Sequence, residues 1–299
     1  MKVLITGGTG LLGKSLLEEA PAGVQPAATA VTDPRGLIPA SCDGAPLDLR
    51  DRSRVLAYVA RVRPQAIIHT ASIGSVDYAE RHPEETWAVN VEGTRHVLDA
   101  AMAVGAHLIF VSSNAVFDGT RAPYREEDPV CPVNTYGRFK VEAEQLVAGQ
   151  SVIPVTIVRP ILMYGWHHPT ERVNPVTWIL RELSQGKTVP VVTDVYTNPL
   201  WAPSGARAIW RMVAQRVTGI FHLAGRDRVD RYTFAQETAR VFGCDASHLK
   251  PVTSDYFPDI APRAPDTSYD TTKMARVLGV EPMGLREGLE AMRRTQPSR

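Results

Sequence analysis

Three side chains in this sequence have the types and spacings that deliver a proton to a carbonyl oxygen. The phrase NTYGRFK sets Tyr136 and Lys140 four residues apart, so on a helix both rise from one face. A free phenol has a pKa of about 10, and a neighbouring ammonium favours the phenolate, so Lys140 is expected to bring Tyr136 down towards a useful acid/base range. Ser113 closes the apolar run HLIFVSS and can donate to the same carbonyl oxygen while Tyr136 supplies the proton. Each feature alone has a bland reading: a surface tyrosine beside a surface lysine, or a strand-end serine that caps a turn. Their joint occurrence, in this order and after a glycine loop, carries the weight.

That loop is GGTGLLG, which satisfies two overlapping spacings, Gly8-x-Gly10-x-x-Gly13 and Gly7-x-x-Gly10-x-x-Gly13. It falls between an expected strand and an expected helix opened by Leu11 and Leu12. There one glycine permits a tight turn, the next lets backbone approach a pyrophosphate, and the last lets helix pack on strand. A glycine-rich turn with no ligand is the alternative for an isolated match. Asp33 follows about twenty residues beyond the last glycine, where a carboxylate accepts from ribose hydroxyls. Arg35 comes two positions later and could meet a 2′-phosphate, so NAD and NADP both stay open. Asp48 and Leu49, in LDLRD, occupy a loop suited to adenine contact, and a solvated turn aspartate reads equally well.

Short aliphatic runs alternate with longer amphipathic ones, the rhythm of a buried parallel sheet with crossover helices. Strands are expected at 2–6, 27–33, 65–71, 107–113 and 155–160, with helices from Leu11 to Ala20, around 85–104 and over 136–148. The fold class is α/β: a Rossmann-type doubly wound parallel sheet over 1–165, with a smaller C-terminal substrate-binding lobe. After Tyr164-Gly165 the rhythm changes, so the lobe is assigned to 166–195 and 226–299. A returning segment near 196–225 contains one more strand, GIFHLAG (219–225). In and beside the lobe, Trp166, Arg172, Asn174 and Trp201 could grip a base, sugar or diphosphate, with lobe packing as the bland alternative. His167-His168 have no further ligands at suitable spacing, so no metal site is expected.

With 33 basic and 32 acidic residues the net charge is +1, which gives no sequence-level attraction to nucleic acid or an anionic membrane. Cys42, Cys131 and Cys244 are odd in number and far apart, which argues against a disulfide framework or a zinc site. The first residues run from a strand into a turn rather than forming an apolar leader, and no apolar run is long enough to span a bilayer. The expectation is a soluble, cytoplasmic protein acting on a small molecule.

The phrases GGTGLLG, VSSNAVFDG, NTYGRFK and VRPILMYG, in this order and spacing, resemble the extended short-chain dehydrogenase/reductases across the first 165 residues. SVDYAE (75–80), VFDGTRAPYREEDPVCPVNTYGRFKVEAE (116–144), GIFHLAG and RAPDTSYDTTKMARVLG (263–279) are similar to the dTDP-4-dehydrorhamnose reductases and to the regulatory beta subunits of methionine adenosyltransferase. The resemblance implies NADP or NAD as cofactor. It implies Ser113 as the active-site hydroxyl, Tyr136 as proton donor and Lys140 as the contact to the nicotinamide ribose. Thr70, Ala71 and Ser72 match a segment beside the cofactor, and Pro160 to Leu162 a segment flanking the nicotinamide. Asn90 matches a family asparagine in the following helix, where a buried helix-backbone contact is an equally good role. Ser113-Asn114-Ala115 replaces the Thr-Asp-Tyr usual in the rhamnose reductases, and Leu162 lies near the position of a family tryptophan, so Asn114 falls in an altered sugar pocket. The implied substrate is a nucleotide-linked 4-keto-6-deoxy sugar. An epimerase or dehydratase with tightly held NAD, and an NADP-binding regulatory subunit without turnover, are the alternatives, and a homodimer stays open.

Overall fold

The aliphatic runs become the strands of one central sheet. The computed structural model describes residues 1–32, 36–169, 171–258 and 261–297. Strand β1 (Lys2–Thr6) turns through the glycine loop into α1 (Leu11–Glu18), followed by β2 (Gln25–Ala30) and β3 (Asp43–Pro46). Helix α2 (Arg52–Val62) returns the chain to β4 (Ala66–His69). Then α3 (Val76–Arg81), α4 (Pro83–Trp87), a π turn at Ala88–Glu92 and α5 (Gly93–Val104) lead to β5 (His107–Val111). Helix α6 (Thr135–Ala148) precedes β6 (Val155–Pro160), β7 (Met163–Tyr164) and α7 (Pro175–Ser184). The rest comprises β8 (Val189–Val192), β9 (Tyr196–Thr197), β10 (Leu200–Trp201), α8 (Ala202–Gln215), β11 (Gly219–Leu223) and β12 (Val229–Asp230). It ends with α9 (Arg231–Phe242), β13 (Leu249–Val252), α10 (Thr272–Leu278) and α11 (Leu285–Arg294).

The sheet runs β3-β2-β1-β4-β5-β6-β11, and every neighbouring pair is parallel. This is the doubly wound order, and chain direction across the sheet reverses between β1 and β4. Ligands of such sheets sit in the crevice beyond the carboxyl ends of the strands at that point. The strands expected at 65–71 and 107–113 each end two residues early, at His69 and Val111. Thr70–Ser72 and Ser112–Ser113 are thereby released from the ladder over the crevice. The segment DGAP of β3 has no aliphatic pattern, and its strand is imposed by pairing with β2.

Alternation along the strands fills both faces. Ile5, Ile68, Ile109 and Val158 pack with Leu16 of α1 and Ile209 of α8 on one side. Leu4, Ile67, Leu108 and Ile157 pack with Val59 of α2 and Val97 of α5 on the other. A third core joins Ile179 of α7, Val191 of β8, Phe234 of α9 and Leu289 of α11 in the C-terminal lobe. Within 226–299, Met274 and Leu278 of α10 pack into the first sheet core and not into this third one.

Candidate active site

The glycine turn separates three roles. Gly7 has φ +72, the left-handed region, and a Cβ there would stand 2.8 Å from the Ala71 backbone. A Cβ on Gly13 would stand 2.1 Å from the Gly7 carbonyl oxygen, so the last glycine lets α1 lie against the turn. Of the two overlapping spacings, the one beginning at Gly7 makes the turn, while Gly8 is pressed against Ala28. Gly10 differs: its φ of −66 and ψ of 167 suit any residue, and a Cβ would meet only the Gly7 carbonyl oxygen, at 3.5 Å. Nothing in the chain itself demands glycine there. Gly10 faces a cavity of about 1450 Å³ and precedes the helix start at Leu11 and Leu12, where no side chain caps the backbone N–H groups. An open glycine cradle at an uncapped helix N-terminus fits the pyrophosphate of a dinucleotide.

The cavity continues along the carboxyl edge past Asp48, Leu49, Thr70, Ala71, Ser72, Ser113, Tyr136, Lys140, Pro160 and Leu162, then into the lobe. Asp33 and Arg35 lie outside the described residues. Asp48 is engaged by Arg50, whose Nη2 donates at 2.6 Å and whose backbone N–H donates at 3.0 Å, and this holds the carboxyl below its ordinary range.

Ser113, Tyr136 and Lys140 all line this cavity, the Ser113 hydroxyl and the Lys140 ammonium both beside Tyr136. Asn134 caps α6, its Oδ1 accepting from Gly137 N–H at 2.9 Å, and Nδ2 ties the cap to the Pro262 carbonyl at 3.0 Å. Ser113 Oγ accepts from Ala115 N–H at 3.1 Å. Lys140 Nζ donates to the Val111 carbonyl at 3.0 Å and lies 5.8 Å from the centre of the Tyr136 ring. The expected lowering of Tyr136 by Lys140 is not found. Burial pushes the phenol up, and the Ser113 and Ser72 hydroxyls and the Arg172 charge only partly oppose it. Lys140 is itself pulled down to about 8 by burial, against the Glu144 charge.

The segment after β4 is clasped from outside. Thr70 Oγ1 donates to the Thr6 carbonyl at 2.7 Å. Asn90, in the π turn, accepts from Ile73 N–H at 2.8 Å and donates to the Ile73 carbonyl at 3.1 Å. Asn90 therefore makes the buried backbone contact and positions Ser72, whose Oγ donates to Asn90 Oδ1 at 3.1 Å. The π turn interrupts the helix expected at 85–104, and such bulges often mark sites.

The lobe residues divide. Arg172 lines the cavity and donates to the Gly74 carbonyl at 2.9 Å, linking lobe to sheet. Asn174 also lines it, but its amide is spent on the α7 cap and on the Gly165 carbonyl at 2.7 Å. Trp166 and Trp201 are not brought to the cavity. Trp166 Nε1 donates to the Met292 carbonyl at 2.8 Å with its ring on Phe242, and Trp201 carries Arg207 on its face, because both rings complete lobe packing. Asn114 Nδ2 donates to Thr267 Oγ1 at 2.7 Å, joining the Ser113 turn to the C-terminal segment. Among the described residues no cluster suited to a metal occurs.

Arg231, absent from the expectations above, stands in the cavity wall at the first position of α9. Among the described residues no carboxylate or other acceptor engages its guanidinium, which burial and the Arg263 charge pull down to about 10. The sequence held one signal for it: a cation in the first turn opposes the helix dipole, so helix stability does not explain it.

Sheet order, glycine turn and the Ser113, Tyr136, Lys140 face define an extended short-chain dehydrogenase/reductase. Within that class the chain belongs to the family described as "RmlD substrate binding domain", whose model matches residues 1–296. It is 32% identical over 290 residues to a dTDP-4-dehydrorhamnose reductase of Streptomyces griseus, covering 94% of this chain and 88% of that one. It is 29% identical over 290 residues to the methionine adenosyltransferase 2 subunit beta of Bos taurus, covering 93% and 83%. The crystal structure of dTDP-4-dehydrorhamnose reductase from Bacillus anthracis in complex with NADP is similar over 99% of each chain, with 27% identity and a TM-score of 0.85.

Proposed function

We propose that the protein reduces the keto group of a dTDP-linked 4-keto-6-deoxy sugar at the expense of NADPH or NADH. The observation that carries this reading is one cavity lined by the open Gly10 cradle, by Ser113, Tyr136 and Lys140, and by Arg231, whose guanidinium has no acceptor among the described residues. The named relatives that reduce dTDP-sugars support the substrate class.

Gly7, Gly10, Leu11, Leu12 and Gly13 would cradle the dinucleotide pyrophosphate, with Asp48 and Leu49 beside the adenine. Thr70 to Ser72 and Pro160 to Leu162 flank the nicotinamide. Bound NAD(P)H supplies a hydride to the keto carbon. Tyr136 gives its proton to the oxygen as negative charge develops there, and Ser113 donates a hydrogen bond to the same oxygen. A phenol kept protonated by burial is the form a reductase needs when turnover begins. Lys140, as a cation, holds the ribose and favours the phenolate left behind. Arg231 and Arg172 receive the diphosphate of the sugar nucleotide. In this reading 1–165 with 196–225 and α10 form the cofactor domain, and the remainder of 166–299 the substrate lobe. No described helix is long and apolar enough to cross a membrane.

The test is to supply reduced cofactor with dTDP-4-keto-6-deoxyglucose or its 3,5-epimer and count both products. One NAD(P)H consumed per sugar reduced supports the reading. Sugar conversion without net cofactor loss turns it into an epimerase or dehydratase, and cofactor binding without conversion into a regulatory subunit.

A further inference from the structure

Next to Lys140 lies a buried charged cluster to which the reaction above assigns no part. One turn further along α6, Glu144 holds Arg159 of β6 by two hydrogen bonds, Nε to Oε1 at 2.9 Å and Nη2 to Oε2 at 2.7 Å, with both side chains sealed from solvent. Behind it Arg159 Nη1 meets His222 Nε2 at 3.4 Å, and His222 Nδ1 donates to the Tyr124 carbonyl at 3.2 Å, so the imidazole is neutral with its proton on Nδ1. A buried ion pair is weak evidence for stability, since well-packed apolar residues often do as well or better. Its place beside Lys140 supplies a stronger reason.

Lys140 Nζ rests on the Val111 carbonyl of β5, 5.2 Å from the Phe110 ring. The titratable groups set against it are Tyr136 and Glu144 on α6 and His69 on β4, with Arg159 of β6 bound to the far side of the Glu144 carboxylate. His69 is neutral, drawn down to about 3 by burial, and Arg159 is a cation. Glu144 is thus the carboxylate whose charge acts on the lysine. Arg159 grips both of its oxygens, so Glu144 acts through its field and not by direct contact that would draw Nζ off the Val111 carbonyl.

We propose that Glu144 and Arg159 form a positioning pair for Lys140: the arginine fixes the carboxylate where its charge keeps the lysine a cation while leaving its head on the Val111 carbonyl. The inference rests on reading Lys140 as the cation beside the nicotinamide ribose.

The test follows the Lys140 side-chain titration in the cofactor-free protein by carbon NMR of Cε-labelled lysine, assigned with Lys140→Met. Beside it stands the pH profile of kcat/KM with NADPH. In Glu144→Gln the Lys140 midpoint falls by about one pH unit or more, equivalent to about tenfold in its protonation constant. The high-pH limb of kcat/KM moves by the same amount, and Glu144→Asp restores both. Should Glu144→Gln not fold, Glu144→Leu with Arg159→Met removes the pair without stranding a charge, and the midpoint still falls. An unmoved midpoint in either folded variant overturns the inference. A moved midpoint in a protein without turnover upholds it and places the failure in the reading of the reaction.

Discussion

The Cα of Gly137 lies so close to the Ala115 carbonyl that a Cβ would stand 2.1 Å from its oxygen. The turn carrying Ser113 and the helix carrying Tyr136 therefore close on each other through a gap that only glycine leaves. Glycine costs a helix about 1 kcal/mol relative to alanine, so its presence in the first turn of α6 has a packing cause. Gly137→Ala should destabilise by about 1–3 kcal/mol through overpacking and lower kcat at least tenfold by parting Ser113 from Tyr136. Urea melts and steady-state kinetics check both. An unchanged kcat would show that the contact does not set the geometry.

Gly10 and Gly13 should behave oppositely on substitution. Gly13→Ala drives a methyl into the Gly7 carbonyl and should fail to fold or melt well below the parent. Gly10→Ala meets nothing closer than 3.5 Å and should keep the parent melting temperature while cofactor affinity, read by nicotinamide fluorescence, falls at least tenfold. A Gly10→Ala protein that binds cofactor normally would remove the cradle from the account.

Arg231 donates to no acceptor among the described residues and stands half-open to the cavity, so little of the fold rests on its charge. Arg231→Met should hold or raise the melting temperature while raising KM for the sugar nucleotide about tenfold or more, with KM for NADPH unchanged. A melting temperature that falls with no change in KM would mark Arg231 as structural.

Three buried histidines set an acid limit. His69 and His222 are drawn down to about 3 and His107 to about 4, chiefly by burial, from an ordinary value of 6.5. Folded values below the unfolded one mean that the unfolded chain takes up protons first, so stability is lost as pH falls below 6.5. Between pH 7 and pH 5 each should cost about 2 kcal/mol. Urea midpoints measured at pH 7 and pH 5 should drop accordingly, before the carboxylates titrate. Equal midpoints would contradict the buried neutral state.

The sheet and the centre of the site were legible because both rest on local pattern. Aliphatic runs specify buried parallel strands, the glycine spacing specifies the turn, and a four-residue interval on one helix brings Tyr136 and Lys140 together. Strand β3 was not legible, since Asp43–Pro46 becomes extended only by pairing with β2. The behaviour of Tyr136 was misjudged because spacing shows the neighbouring ammonium but not the burial, which outweighs it. Trp166 and Trp201 looked like ligand grips by type alone, and only the lobe core reveals which way each ring faces. Arg231 was missed for the converse reason: its place in the cavity wall is a property of the folded chain.

The proton donor is the centre of the account, and one comparison addresses it. NADPH oxidation by the parent protein and by Tyr136→Phe is followed with a dTDP-4-keto-6-deoxy sugar, with cofactor binding measured in both. Loss of general acid catalysis predicts that kcat falls by about 10²–10⁴-fold in the variant while NADPH still binds. Full activity in Tyr136→Phe, or no turnover of any keto sugar by the parent, would contradict it.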